Sequence, residues 1–104
     1  MVGEIYLANI HFTDAVTAKV RPVLLLKANS FNDMLYLPLT SNTHTKGISI
    51  DNNHLETGYL PKTSVVIYEK PGVIATTLLI KKIATLNNYT YRHIISELVQ
   101  FLQN

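Results

Sequence analysis

Arg21 stands between a cationic approach, Ala18-Lys19-Val20, and the unbroken apolar run Val23-Leu24-Leu25-Leu26 that follows Pro22. A guanidinium has a permanent charge and five donors in a planar fork. Held where a loop meets a core, it can clamp a phosphate or stabilise charge building up on one. Its alternative role is to cap a strand and pair with a surface carboxylate. Thr40-Ser41 places two adjacent hydroxyls after an apolar stretch, where they either donate to a phosphate oxygen or a substrate hydroxyl, or close a turn on the backbone. Glu69 follows Thr63-Ser64-Val65-Val66-Ile67-Tyr68 and has three open roles: a base, an electrostatic partner for Arg21, or a solvated strand end. The four histidines (His11, His44, His54 and His93) form no i,i+4 pair and have no carboxylate at ligand spacing, so no metal site is expected. His44, in a hydroxyl-rich loop, is the one candidate proton carrier. No serine sits in a nucleophile-elbow context, and the four glycines are too scattered for a phosphate loop.

These residues need elements to position them. Residues 3–10 alternate and predict a first strand with Ile5, Leu7 and Asn9 on one face. The period breaks over 11–19, which predicts a loop, and Pro22 suits the first residue of the next strand because it lacks an amide hydrogen. That strand, apolar without alternation, is expected to be buried on both faces. Residues 28–33 have turn chemistry, and 34–40 return as a strand in which Pro38 marks an edge or a bulge. A polar loop over 41–47, a short strand near 47–51, a β-branched strand over 63–69 and a strand over 80–86 follow. Tyr91, Ile94, Ile95, Leu98 and Leu102 recur at helical spacing, with Asn88 or Thr90 as N-cap, and His93 beside Arg92 on the solvent side. Short strands followed by one terminal helix predict a strongly curved antiparallel sheet or small barrel with the helix packed on it.

The 104 residues allow one domain with a modest core. With 47% hydrophobic and 15% charged residues the chain is apolar for its size, and some of that surface is expected to meet a partner or a second copy. No stretch is long and apolar enough to span a bilayer, and the first residues do not read as a signal segment, so a cytoplasmic protein is expected. There is no cysteine, hence no disulfide and no thiolate metal site. The net charge of +2 does not by itself signal a polyanion partner; Lys19 with Arg21 and Lys81 with Lys82 are the visible cationic groups.

Taken in order, Gly3-Glu4-Ile5-Tyr6-Leu7, Phe12-Thr13-Asp14, Arg21-Pro22-Val23-Leu24, Leu39-Thr40-Ser41, Ser64-Val65-Val66 with Glu69, Lys82-Ile83 with Leu86, and the final helix resemble the MazF/PemK (Kid-like) toxins of type II toxin–antitoxin systems. The resemblance implies a mainly β, SH3-like barrel with a C-terminal helix, one toxin-like domain over 1–104, and a homodimer. It implies a cytoplasmic endoribonuclease that cuts single-stranded RNA, mRNA included, at short motifs, with neither metal nor other cofactor. A cognate antitoxin would fold a disordered acidic segment onto its basic groove. The family's catalytic arginine and threonine correspond to Arg21 and Thr40; Ser41 would help to orient the phosphate or the 2′-hydroxyl, and Glu69 is the candidate base. The RNA groove would be lined by the 12–19 and 41–46 loops, with Phe12, Thr13, Asp14, Thr17, Lys19, His44, Lys46 and Lys70 as binding residues. Ile67 stands where many relatives have an arginine, and Lys70 is the candidate to replace that charge. The alternative is a non-enzymatic relative on the same scaffold, because the related CcdB toxins inhibit DNA gyrase through protein contact. Arg21 with Thr40 distinguishes the two, being needed for cleavage and not for gyrase binding.

Overall fold

The computed structural model describes residues 3–11 and 18–104. Its strands are β1 (Glu4–His11), β2 (Ala18–Ala28), β3 (Asp33–Thr40), β4 (Ile48–Ile50), β5 (Leu55–Gly58), β6 (Ser64–Val66), β7 (Gly72–Ala75) and β8 (Leu79–Leu86); α1 (Asn88–Gln103) ends the chain. All pairings are antiparallel, in the order β4-β6-β3-β2-β1-β8-β5, with β7 added to β3.

The apolar run of β2 explains why the sheet is covered on both faces. Leu24 points into the larger core with Ile5, Leu37, Leu39, Ile50, Val66, Ala84 and Leu86, against which Ile94 and Leu98 of α1 pack. Val23 and Leu25, on the opposite face, join Ala8 and Ile74 in a smaller cluster. Residues from both ends of the strand order meet in the larger core, so the sheet is curled around it as an open half-barrel. Leu24 and Leu37 are fully buried, and each such side chain contributes about 1.5–3 kcal/mol.

Several local expectations change. Ile5 and Ala8 are the fully buried residues of β1: Ile5 faces the larger core, Ala8 on the opposite face joins the smaller cluster, and Leu7, which alternation places on the Ile5 side, is only half-buried. The 11–19 break is shorter than its sequence suggests: β2 begins at Ala18, and Lys19 pairs with Ile10. Pro22 is therefore inside β2. Its position is still one a proline tolerates, because the β2/β3 ladder ends at Val23 and Pro38, and from Pro22 back to Ala18 the strand pairs with β1 alone. Pro38 marks where β3 changes partner: beyond it, Leu39 and Thr40 pair with Val66 and Val65 of β6. Two residues without an N–H thus sit where β2 and β3 part, which limits the number of donors left unpaired there.

The strand expected over 63–69 stops at Val66. Ile67 N donates to Pro38 O, and Lys70 N to Ile67 O, so Glu69 lies in a turn. The strands β5 and β7 are additional to those expected. The 28–33 turn forms as its residues dictate: Asn29 Oδ1 accepts from the amides of Phe31 and Asp33, and Asn32 adopts φ 66°. Helix α1 is capped by Asn87, whose Oδ1 accepts from Thr90 N at 2.8 Å, while Thr90 itself is buried. Ile94 and Leu98 face the core as expected, His93 and Arg92 are exposed, and Leu102 is exposed rather than packed.

Candidate active site

Where β3 leaves β2, a cleft of about 180 Å³ opens. Its floor is apolar, from Leu7, Pro22, Leu39, Leu60 and Ile83, and its rim carries Arg21, Ser41 and Lys62. Leu39 and Ser41 line this cleft, and Thr40, the last residue of β3 between them, does not. Thr40 is half-buried, and its Oγ1 accepts from Asn42 N at 3.2 Å, which starts the turn that carries Ser41. That hydroxyl still has its own proton to donate. Ser64 also lines the cleft, but its hydroxyl donates to Lys62 O at 3.1 Å and holds the wall.

The opposite wall is fixed by one side chain. Leu60 N donates to Asn52 Oδ1 at 2.7 Å, and Asn52 Nδ2 donates to Leu60 O at 3.0 Å. This two-way clamp sets the backbone from which Pro61 and Lys62 extend. Asn52 belongs to a 3₁₀ turn, Asn52–His54, capped by Asp51, whose Oδ1 accepts from Asn53 N.

Among the described residues the ion pairs are Lys46 with Glu69 at 2.7 Å, Lys82 with Glu4 at 3.0 Å, and His54 with Asp51. Arg21 and Lys62 take part in none of them, so the rim presents positive charge that no described carboxylate neutralises. No group of three or more His, Cys, Asp or Glu side chains able to hold a metal ion occurs among the described residues.

The residues expected to act together are partly separated. Arg21 and Ser41 share the cleft, with Thr40 directly behind Ser41. Glu69 does not reach it; with Lys46 it lines a different cleft of about 390 Å³ against the end of α1, beside Tyr68, Glu97 and Phe101. The hydrogen bond from Lys46 to Glu69, and then the attraction between the two charges, raises the Lys46 pKa above its ordinary value. Lys19, His44 and Lys70 are exposed. Phe12, Thr13, Asp14 and Thr17 lie outside the described residues. Lys62 and the Leu60-Pro61 wall were not expected from the sequence; the one available signal was the Tyr59-Leu60-Pro61-Lys62 approach to β6, whose proximity to Arg21 only the sheet pairing reveals.

The model of the PemK-like, MazF-like toxin of type II toxin-antitoxin systems matches residues 1–102. The chain belongs to this family. Among solved structures, the Mycobacterium tuberculosis toxin MazF-mt6 is similar, at 22% identity over 92% of this chain and 91% of that one, with a TM-score of 0.65. At that identity the likeness is one of fold, and it agrees with the curled sheet and single C-terminal helix described above. Comparison with curated protein sequences gives no match. Membership in this toxin family implies an antitoxin partner. Among the described residues of the toxin, no helix is long and apolar enough to cross a membrane.

Proposed function

We propose that this toxin is an endoribonuclease that cuts single-stranded RNA without a metal ion, acts in the cytoplasm as a homodimer, and is held inactive by its cognate antitoxin. The observation that carries this reading is Arg21: a permanent cation with no ion pair among the described residues, at the rim of an apolar-floored cleft that it shares with the Ser41 hydroxyl. The floor suits a nucleobase and the rim suits a phosphate. In the reaction the 2′-oxygen of one nucleotide bonds to the adjacent phosphorus and releases its proton to solvent. The bond from phosphorus to the 5′-oxygen breaks, and that oxygen takes up a proton. The products are a 2′,3′-cyclic phosphate and a 5′-hydroxyl. Arg21 stabilises the extra negative charge of the pentavalent phosphorane, Ser41 donates to a phosphate oxygen, and Thr40 positions Ser41 through the Asn42 turn. Glu69, engaged by Lys46 in the other cleft, is left out of this scheme. Exposure of Val99 and Leu102, three residues apart on α1, supports burial of that surface by a second copy.

The test is cleavage of a long single-stranded RNA by purified toxin in EDTA, with Arg21→Ala and Thr40→Ala alongside. Cuts at discrete short motifs, ending in cyclic phosphate and lost in Arg21→Ala, are the expected result. Uncut RNA in every lane would overturn the nuclease reading and direct attention to a non-enzymatic toxin, tested next by inhibition of gyrase supercoiling.

A further inference from the structure

The cleft at Arg21 does not end at its own wall. A second depression, of about 410 Å³, is lined by Tyr59, Lys81 and Lys82 and shares Leu7, Pro61 and Ile83 with the first. The two form one groove that runs from β2 over β1 to β8. Two strand spacings separate β2 from β8, roughly 10 Å, and the register places Leu7 opposite both Pro22 and Lys81. Tyr59 stands at the far end, 65% exposed, with its backbone fixed by the hydrogen bond from its amide to Ile83 O at 3.1 Å. None of the residues lining either depression is a carboxylate. Lys82 is engaged by Glu4, whereas Lys81, like Arg21 and Lys62, has no ion pair among the described residues.

We infer that this groove is an extended subsite for the single-stranded RNA on one side of the scissile phosphate, with Tyr59 as a stacking platform for a base and Lys81 as a contact to a flanking phosphate. The inference rests on the ribonuclease reading and adds to it where the strand goes after the cleft. An aromatic face next to an unpaired cation serves the two repeating parts of a nucleotide chain and is tolerant of base identity. An acidic peptide is the competing occupant of a basic groove. Peptides that add to a sheet use the free backbone groups of an edge strand, but β1, the middle strand of the groove, is paired on both sides, so along it the floor offers side chains only.

The experiment is fluorescence anisotropy with labelled 2′-O-methyl oligouridylates of about 5 and about 15 nucleotides, which bind without being cut. The proteins are the wild-type toxin, Tyr59→Ala and Lys81→Ala, with thermal melts to confirm folding. Wild type is expected to hold the longer oligomer at least about tenfold more tightly, and Tyr59→Ala to remove most of that advantage. Lys81→Ala is expected to lower the slope of log affinity against log salt by about 0.7, the value for one phosphate contact on a single strand. A length advantage unchanged in both variants, with cleavage by wild type in EDTA intact, overturns the groove and leaves the nuclease reading standing. Absence of both cleavage and binding by wild type overturns the two together. Tight binding of a glutamate-rich peptide that Tyr59→Ala abolishes, with no binding of either oligouridylate, would assign the groove to a protein partner and overturn RNA as its occupant.

Discussion

The two clefts of this toxin treat charge in opposite ways. At the end of α1, Lys46 meets Glu69 at 2.7 Å and Glu97 lines the same cleft, so the one cation is more than matched by carboxylates of the chain itself. At Arg21 the rim has a guanidinium and an ammonium, with no carboxylate among the lining residues. Cations left unpaired over an apolar floor remain available to an anion from outside, whereas a satisfied pair has little left to offer one. The larger of the two volumes is therefore the weaker candidate for chemistry, and the smaller one earns that role through its electrostatics.

Each of the following changes would break or sharpen that contrast. Arg21→Ala should have the largest effect, a fall in RNA cleavage of about 10²–10³-fold, the scale for removing one group that stabilises transition-state charge. Arg21→Lys should recover only part of it, since the charge returns without the planar fork; single-turnover cleavage rates measure both. Gly58→Ala leaves every charge in place and disturbs the chain leading to the wall of the basic cleft. Gly58 has φ +87°, and an added Cβ would lie 2.2 Å from Ile83 O and 2.5 Å from the Ala84 Cα. A loss of about 1–3 kcal/mol in urea unfolding is expected. Asn52→Ala removes both hydrogen bonds to Leu60 and should cost about 1–2 kcal/mol, with KM for RNA rising more than kcat falls, because the wall and not the guanidinium is displaced.

Acid should report on Glu4. Burial alone would raise its pKa, but the hydrogen bond from Lys82, with other positive charge nearby, outweighs this and the net position is below the ordinary value of 4.5. A lowered native pKa gives stability that is complete above the unfolded value and is lost as pH falls through the native one. The melting temperature should therefore drop on going below about pH 4.5, and part of that drop should be missing in Glu4→Gln. Glu69→Gln should have the smallest effect, with cleavage within about twofold of wild type. A much larger loss of cleavage would bring Glu69 back into the chemistry and end the contrast between the clefts.

Much of this architecture is legible in the residues. The doubly buried run at Leu24, the Asn-rich turn before β3 and the stripe of Ile94 and Leu98 all follow from local pattern, because a strand covered on both faces, an Asx turn and an amphipathic helix each impose a short-range signature. The strands β5 and β7 have no comparable signature: Leu55-Glu56-Thr57-Gly58 is largely exposed, and it is a strand because β8 supplies a partner. The two register shifts between β1 and β8, each with an extra residue in β8, likewise appear only in the pairing of the two strands. At the site, Arg21 and Ser41 were readable as chemistry-bearing residues flanking apolar strands. That Lys62 and the Leu60-Pro61 wall would join them, and that Glu69 would turn away, depends on β3 exchanging β2 for β6 at Pro38. Lys81-Lys82 was visible as a cationic pair, but its closeness to Arg21 arises only because β1 bridges β2 and β8.

The strand order of the open half-barrel begins on β4, three residues long, and ends on β5, four residues long with a register shift between Leu55 and Thr57. An unclosed sheet in a chain this apolar would ordinarily invite strands of neighbouring molecules to extend it. Here each outer rung is too short, and one is too irregular, to template a long intermolecular ladder. Growth of the open sheet at these two ends is thus discouraged by the shortness of its outer strands rather than by closure.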